Sequence, residues 1–377
     1  MKIAFLSHLD LNLYLFRLPI MQALIERGHE VAALCPKGDV FARFAEHGIA
    51  ALHYDIDRSS LNPLREYPVI GHLASMLGRI RPDILHTFTA KPNIYGTLAG
   101  RMARVPVIYN LVEGLGSFYV EDSLRNRCIR ACMESLYAIT CRLSDSTVFV
   151  NRDDADHFRS HRLVPQHKMR IIRSVGIDTQ VFKPGIHDVS AVRRELGLVS
   201  ASRVVLMVAR AIWHKGLAEY IDAARRLRVQ YPDAVFLLAG DVDQGNPSSA
   251  TREFLMNQPH VRWLGPRADI AELTALCDVY VLPSYREGVP RTLLEAASMS
   301  QPIVTTDTVG CREVVENGMN GILVPVRDSE ALARGIATLL DDQALREHMG
   351  RAGREKVVRE FDVRHVVRQY LELYGVS

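Results

Sequence analysis

The feature that most constrains the fold of this chain is an alternation of short apolar runs with stretches of helical periodicity. In the first half the apolar runs are "KIAFLS", "EVAALC", "PDILHTF", "VPVIYNLV" and "DSTVFV". The segments between them have apolar residues at helical spacing. Such an alternation is typical of a parallel sheet that helices cover on both faces. The sequence therefore predicts an α/β fold.

The same alternation occurs a second time. It weakens around residues 174–203, where Pro184 and Gly185 interrupt it, and then restarts with "RVVLMVAR" and five further apolar runs. We therefore predict two doubly wound, Rossmann-like domains, residues 1–183 and 184–357, with a C-terminal helix at about 358–377 that packs back on the first. Because open α/β sheets bind ligands beyond the carboxyl ends of their strands, we expect a ligand cleft between the domains.

Composition excludes several classes of protein. The chain has 377 residues, 48% of them hydrophobic, and its six cysteines have no zinc-ligand spacing. No stretch approaches the roughly 18 apolar residues of a membrane span, and the N-terminus does not resemble a signal peptide. We therefore predict a protein of the reducing cytosol that is not integral to a membrane.

The charge distribution leaves two interpretations open. The net charge is +3, and the excess of basic residues falls in residues 1–183. A mildly basic half suits an anionic substrate or an anionic membrane surface, but random variation of surface charge explains it equally well. The glycine fingerprint of dinucleotide-binding domains is missing after the first strand, which disfavours an oxidoreductase. No nucleic-acid partner is expected.

Two cations follow the first strand of the second half. The stretch "VARAIWHKG" places Arg210 and Lys215 on a loop at the carboxyl end of that strand. Two cations at this spacing can hold a diphosphate. The alternative is a solvated loop with incidental charges.

The stretch "YREGVPRTLLEA", residues 285–296, predicts a loop that leads into a helix. Pro290 suits the start of a helix and Gly288 permits close approach to a ligand. Glu295 lies about one turn into the helix, where its carboxylate could accept hydrogen bonds from ribose hydroxyls. Its alternatives are a solvated helix residue or a partner of Arg291. For Glu287 the alternative is an acid that interacts with the helix dipole.

An acidic pair follows another strand of the second half. Asp241 and Asp243 in "AGDVDQG" have the spacing of an Asp-x-Asp metal site. We interpret them as ordinary turn residues, because no further cluster of metal ligands accompanies them. No metal site is predicted.

In order, the motifs "HKG", "WLG", "LPSYREG…LLEA" and "QPIVTT" resemble those of the retaining family 4 glycosyltransferases of GT-B fold. The resemblance covers nearly the whole chain, and the Glu-x7-Glu motif of that family matches Glu287 and Glu295. It implies an enzyme that uses a UDP-hexose or UDP-N-acetylhexosamine as co-substrate and needs no cofactor or metal.

The resemblance also implies roles for individual residues. Arg210 and Lys215 would bind the donor diphosphate, Glu295 the ribose, and Glu287 the hydroxyls of the donor sugar. The catalytic set would be Arg210, Lys215 and Glu287. The implied donor site also includes residues in three places. These are Gly265 beside the base, Gly288, Val289 and Pro290 beside the sugar, and Leu294 on the packing face of the helix.

A closer similarity links the chain to bacterial protein-glycosylation enzymes that extend a sugar on undecaprenyl diphosphate. It rests on "SLNP" (60–63), "LVEGLGSFY" (111–119), "RSVGID" and "ARAIWHKG". It implies an acceptor side that includes Glu113, Gly114, Gly116 and Ser117, for which a glycine-rich turn is the alternative. The wider family often has a histidine at the position that Phe88 occupies here, so a catalytic histidine could be carried over only to His86, two residues earlier. A buried, hydrogen-bonded histidine is equally consistent with His86.

The function expected from these residues is retaining transfer of a hexose or N-acetylhexosamine to a polyprenyl-diphosphate-linked sugar. Such an acceptor requires access to the cytoplasmic face of the inner membrane. Residues 64–81 and 123–143 mix apolar residues and arginines at helical spacing, as interfacial helices or ordinary amphipathic helices do. The alternatives are a GT-B-fold UDP-sugar 2-epimerase, a transferase with a soluble, lipopolysaccharide or capsule acceptor, and a noncatalytic nucleotide-sugar-binding protein.

Overall fold

A computed structural model describes residues 1–57 and 63–376 of the chain. The chain forms two compact units, Met1–Gly176 with Val363–Ser377, and Ile177–Asp362. The sequence division at 183/184 thus lies inside the second unit. Residues 60–62 of the "SLNP" stretch lie outside the described residues.

The first unit is built on a seven-stranded parallel sheet with the order β3-β2-β1-β4-β5-β6-β7. Its strands are β1 (Lys2–Ser7), β2 (Glu30–Cys35), β3 (Ala50–His53), β4 (Ile84–Phe88), β5 (Val107–Val112), β6 (Ser146–Phe149) and β7 (Met169–Ile171). The helices before residue 176 are α1 (Asp10–Glu26), α2 (Pro63–Ile80), α3 (Ala90–Met102), α4 (Leu124–Leu143) and α5 (Arg152–Ser160).

The second unit is built on a six-stranded parallel sheet with the order β10-β9-β8-β11-β12-β13. Its strands are β8 (Arg203–Val208), β9 (Ala234–Ala239), β10 (Arg262–Gly265), β11 (Val279–Leu282), β12 (Ile303–Thr306) and β13 (Gly321–Val324). Its helices are α6 (Ser190–Glu195), α7 (Leu217–Leu227), α8 (Arg252–Met256), α9 (Ile270–Leu276), α10 (Arg291–Ser298), α11 (Cys311–Val314), α12 (Ser329–Asp341) and α13 (Gln343–Glu360).

Helices cover the central strands of both sheets on both faces. Every residue of β4 and β11 is buried, and so are all but the first residue of β1 and β8. This explains why these strands occur in the sequence as continuous apolar runs instead of alternating patterns. The predicted α/β architecture of two parallel-sheet units is confirmed.

A last helix, α14 (Val363–Tyr374), belongs to the first unit although it follows the second in the chain. The Tyr374 hydroxyl lies 2.5 Å from Nδ1 of His86 on β4, and the Tyr109 hydroxyl donates to the Leu373 carbonyl at 3.0 Å. Both His86 and Tyr374 are buried. A buried hydrogen bond therefore joins the last helix to the central strands of the first sheet.

We expect the Tyr374→Phe substitution to lower the free energy of unfolding by about 1–3 kcal/mol, since it leaves buried Nδ1 of His86 without its partner. Urea denaturation followed by circular dichroism measures this. Tyr67→Phe is the matched control, because Tyr67 is 75% exposed. Equal effects of the two substitutions would show that the buried hydrogen bond contributes nothing.

Candidate functional site

Two loops of the second unit meet where its strand order reverses. β8 lies between β9 and β11, so the chain first moves to one side of β8 and later to the other. In open α/β sheets ligands bind at the carboxyl ends of the strands at such a point. The loops concerned are residues 209–216, after β8, and residues 283–290, after β11.

Gly216 allows the two loops to touch through their backbones. Its φ is +76°, and a Cβ atom there would lie 2.1 Å from the carbonyl oxygen of Pro283. Any side chain would push the loops apart. The amide of Tyr285 also donates to the His214 carbonyl at 2.9 Å. The turn that presents Lys215 is therefore fixed against the end of β11.

Gly310 brings a third loop, the one after β12, against the same segment. A Cβ atom at Gly310 would lie 2.4 Å from the carbonyl oxygen of Gly288. The Glu287 amide donates to the Val309 carbonyl at 3.1 Å, and the Thr308 hydroxyl donates to the Tyr285 carbonyl at 2.8 Å. The backbone around Glu287 is thus held on two sides.

The two charged side chains on these loops form an ion pair. Lys215 Nζ lies 2.5 Å from Oε1 of Glu287, and the Ser284 hydroxyl donates to the same oxygen at 2.6 Å. The side chains of Lys215 and Glu287 are 21% and 11% exposed. The pair is therefore largely shielded from water but not fully buried.

Glu295 lies one turn into α10 and is buried, with 8% of its surface exposed. Arg291 Nε donates to its Oε1 at 3.0 Å. Burial raises the pKa of the Glu295 carboxyl above its ordinary value, and the nearby Arg291 charge partly opposes this. Of the two alternatives for Glu295, the partner of Arg291 is the one observed, and the solvated helix residue is not.

Residues between the two glutamates shape the loop and the start of the helix. Gly288 and Val289 are partly buried, and Pro290 is the buried residue that immediately precedes α10. Leu294 is fully buried in the hydrophobic core. Its side chain therefore packs inside the unit, while Gly288 and Val289 border the accessible loop.

Arg210 is paired with an acid on a different loop. Its Nη1 lies 2.6 Å from Oδ2 of Asp243, while Asp241 pairs with Arg252 at 2.7 Å. Both aspartates, which we interpreted as turn residues, thus neutralise arginines. Within residues 1–57 and 63–376 no group of three potential metal ligands occurs.

Gly265 ends β10 at an irregularity in the sheet. The register of β10 on β9 shifts between Trp263 and Gly265, and Gly265 has a φ of +69°. The Gly265 carbonyl accepts from the Gly240 amide at 2.8 Å, and the Trp263 indole N–H donates to the Gly240 carbonyl at 2.8 Å. The end of β10 is therefore joined to the loop after β9.

In the first unit, His86 is the buried, hydrogen-bonded histidine that the sequence left as an alternative. It is 0% exposed and bonded to Tyr374. Burial lowers its pKa well below the ordinary value, and the nearby Arg17 charge lowers it further. His86 is therefore neutral and part of the core.

Glu113 occupies the carboxyl end of β5 and is held by two side chains of α1. Arg17 forms an ion pair with its Oε1, and Asn12 Nδ2 donates to its Oε2 at 3.1 Å. Gly114 and Gly116 follow with φ values of 140° and 79°. Ser117 then begins a short 3-10 helix, Ser117–Tyr119. The segment thus forms the glycine-rich turn that was the alternative, and it also holds the Glu113 carboxylate in a fixed position.

Sequence reasoning missed Asn12, Arg17 and Ser284. Arg17 lies on the buried face of α1 with Leu13, Ile20 and Leu24. A basic residue among apolar residues at helical spacing was the available signal, since a buried charge needs a partner. Ser284 had no comparable signal, because serine is common where strands end.

Comparisons with known proteins point to one family. Residues 188–356 match the family "Glycosyl transferases group 1", and residues 20–181 match "Glycosyltransferase Family 4". A Campylobacter jejuni protein, N,N'-diacetylbacillosaminyl-diphospho-undecaprenol alpha-1,3-N-acetylgalactosaminyltransferase, is 35% identical over 99% of this chain and 98% of its own length. An Escherichia coli UDP-Gal:alpha-D-GlcNAc-diphosphoundecaprenol alpha-1,3-galactosyltransferase is 24% identical over 92% of this chain and 88% of its own length.

Solved structures show the same fold. Anabaena HepE, determined in complex with UDP, has a TM-score of 0.80 at 22% identity and covers 100% of both chains. Sucrose-phosphate synthase from Thermosynechococcus elongatus has a TM-score of 0.81 at 19% identity, covering 100% of this chain and 98% of its own.

The two parallel-sheet units have the GT-B fold of glycosyltransferases. The chain belongs to the family 4 glycosyltransferases, as the full-length relative and the two family matches show. The resemblance inferred from the motifs and the GT-B fold class are thereby confirmed.

We expect Gly310→Ala to weaken UDP binding at least tenfold, because the added methyl group must displace the backbone at Gly288, which leads into α10 and Glu295. Isothermal titration calorimetry with UDP measures this. Gly318→Ala is the matched control, since Gly318 has a similar φ of +78° but nothing within 4 Å of the added atom. If both variants bind UDP alike, the close contact at Gly310 does not position the site.

Proposed function

We propose that this enzyme transfers a hexose or N-acetylhexosamine from a UDP-sugar to a sugar linked to undecaprenyl diphosphate, with retention of anomeric configuration. The observation that carries the proposal is the 35% identity, over nearly the full length of both chains, to a transferase named for a diphospho-undecaprenol acceptor. The preformed pair of Lys215 and Glu287 supports a donor site in the second unit, and Glu113 supports an acceptor side in the first.

Each site residue then has the role that the family resemblance implies, and its chemistry suits that role. Cleavage of the sugar–diphosphate bond develops negative charge on the leaving diphosphate, and Lys215 and Arg210 supply positive charge there before the reaction begins. Glu295 accepts hydrogen bonds from the ribose hydroxyls, and Glu287 from hydroxyls of the donor sugar. Gly288, Val289 and Pro290 border the sugar, and the backbone near Gly265 the base.

Binding of the donor requires three ion pairs of the proposed site to be shared, and Arg210 must reach the diphosphate as well as Asp243. Lys215 must reach the diphosphate as well as Glu287, and Arg291 must release part of Glu295 to the ribose. The loops themselves need not move, because the backbone contacts at Gly216 and Gly310 fix them. Charged groups stabilise a leaving group best when they need to reorganise little during the reaction. The fixed loops meet that requirement.

The retaining course is expected to use attack from the same face as the leaving group. The diphosphate oxygen then takes the proton of the acceptor hydroxyl as the new glycosidic bond forms. Metal ions are not required in this proposal, because Lys215 and Arg210 neutralise the diphosphate.

The decisive experiment is a panel of UDP-galactose, UDP-glucose and their N-acetyl forms against undecaprenyl-diphosphate-linked sugars. We expect one donor to give a product whose α linkage is seen by NMR. Transfer to a soluble sugar alone would overturn the acceptor assignment. Epimerisation of UDP-N-acetylglucosamine without acceptor would indicate an epimerase, and UDP binding without turnover a binding protein.

We expect Lys215→Ala to lower the transfer rate by about 10²–10³, as loss of one preorganised donor at a developing charge does. The melting temperature should change little. Lys183→Ala, at an exposed lysine of the same unit, is the control and should retain activity. Near-wild-type transfer by the Lys215 variant would refute its role.

We expect the affinity for UDP to fall on acidification at a pH above the ordinary glutamate value of 4.5, because burial raises the pKa of Glu295 and only its ionised form accepts from both ribose hydroxyls. Calorimetry of UDP binding against pH measures this. Protonation of UDP itself affects all variants equally. Glu295→Gln should therefore bind more weakly at neutral pH and lack this step; an unchanged pH profile would contradict the ribose role.

We also propose that α4 docks the enzyme on the cytoplasmic face of the inner membrane, where such an acceptor is found. Among the described residues no helix is long and apolar enough to cross a bilayer. The two candidate interfacial segments differ, however. On α2 the large aliphatic side chains of Leu73, Met76 and Leu77 are buried, which favours an ordinary amphipathic helix that covers the sheet.

The outward face of α4 exposes large apolar side chains instead. Four large side chains are exposed there, namely Leu124 (80%), Leu136 (36%), Ile139 (54%) and Leu143 (38%). Arg125 and Arg142 are exposed on the same helix. Apolar side chains beside arginines suit a surface of anionic lipid.

We expect Ile139→Glu to lower binding to phosphatidylglycerol-containing vesicles severalfold in a sedimentation assay, since it places a negative charge on the apolar face. Val229→Glu is the control, because Val229 is 82% exposed on the other unit. Vesicle binding that is insensitive to the substitution on α4 would exclude this face.

A further inference from the structure

A positively charged side chain is buried in the first unit on the core face of α1. Arg17 is 0% exposed and follows Leu13 by one helical turn, at a position where the spacing calls for an apolar residue. Its guanidinium lies over the Phe88 ring, 4.6 Å from the centroid. A buried charge is strongly unfavourable unless it is paired. The role of Arg17 therefore depends on the group with which it pairs.

That partner is Glu113, which is partly exposed to solvent, unlike Arg17. The Glu113 side chain remains 19% exposed at the carboxyl end of β5, whereas Arg17 approaches it from the core side. Asn12 donates to the second carboxylate oxygen, and Asn12 in turn accepts from the Ser7 hydroxyl at 3.2 Å. Both oxygens of the carboxylate are therefore fixed in direction, with one edge towards solvent.

This arrangement is costly if its only purpose is stability. A buried ion pair of this kind is often no more stabilising than apolar residues of the same volume. Nε and Nη1 of Arg17 also have no hydrogen-bond partner within the described residues, and neither do Nε2 of His86 and the Tyr370 hydroxyl. The guanidinium thus leaves part of its own hydrogen-bonding capacity unused while it holds Glu113.

We propose that Arg17 is a positioning residue that, with Asn12, orients the Glu113 carboxylate to accept a hydrogen bond from the acceptor sugar. The proposal rests on the function proposed above and adds which chemistry the acceptor side recognises. A carboxylate accepts hydrogen bonds only, so its ligand must be a hydroxyl or an acetamido N–H group. Arg17 does not touch the sugar and acts through Glu113.

The test measures KM for the lipid-linked acceptor and for the UDP-sugar separately. Arg17→Met and Glu113→Gln should each raise the acceptor KM about 10- to 100-fold, the range expected for one hydrogen bond to a charged group, and leave the donor KM unchanged. Asn12→Ala should raise the acceptor KM less, because Arg17 still holds one oxygen.

A double-mutant cycle separates positioning from a purely structural role. If Arg17 acts through Glu113, the variant carrying both Arg17→Met and Glu113→Gln has an acceptor KM no higher than the worse single variant. Its melting temperature should also exceed that of Glu113→Gln alone, which leaves the buried guanidinium unpaired. Arg27→Met, at an exposed position at the end of the same helix, is the control.

The outcomes distinguish this inference from the proposed function. Wild-type enzyme that is inactive on every lipid-linked sugar overturns the proposed function. An active wild-type enzyme whose acceptor KM is unaffected by Arg17→Met, or multiplicative effects in the double variant, overturns the positioning role alone. If Arg17→Met does not fold, Arg17→Lys and Asn12→Ala decide the question by the same split between the two KM values.

Discussion

Close contact between backbones at the carboxyl edge of the second sheet is the constraint on which the site depends. Gly216 meets the backbone of Pro283, and Gly310 meets that of Gly288, at distances that no side chain permits. These contacts connect the loops after β8, β11 and β12 without using any charged side chain. The backbone therefore places Lys215 and Glu287 close together, and their side chains pair with each other.

The charges at this edge fit the chemistry of a sugar nucleotide. The Lys215–Glu287 pair and the Arg291–Glu295 pair each combine a cation that suits phosphate with a carboxylate that suits hydroxyls. In the first unit, Glu113 is held in a similar way by Arg17. We infer that carboxylates serve sugar recognition throughout, and that each is kept in place by a basic residue until a ligand shares it.

Much of the fold could be predicted from the sequence, because central strands of a parallel sheet are continuous apolar runs. The edge strands β3 and β7 were missed, since they have four and three residues and are only partly buried. The motifs identified Lys215, Glu287 and Glu295, and the helical spacing offered Arg291 as a partner of Glu295, but the pairing of Lys215 with Glu287 was not predicted. Arg17 pairs with Glu113, which is distant in sequence, and Ser284 has no distinctive sequence pattern around it. Only the structure therefore reveals the contacts that these two residues make. Burial also shows, where periodicity could not, that Glu295 is not a solvated helix residue and that His86 is a buried, hydrogen-bonded histidine.

The most direct measurement is a crystal structure of the enzyme with UDP. We expect the ribose hydroxyls to donate to the Glu295 carboxylate, with Arg291 displaced from part of it, and the diphosphate to lie within hydrogen-bond distance of Lys215. The loops around Gly216 and Gly310 should be unchanged. A nucleotide bound away from these residues, or a ribose held by other groups while Arg291 keeps Glu295, would contradict the proposed donor site.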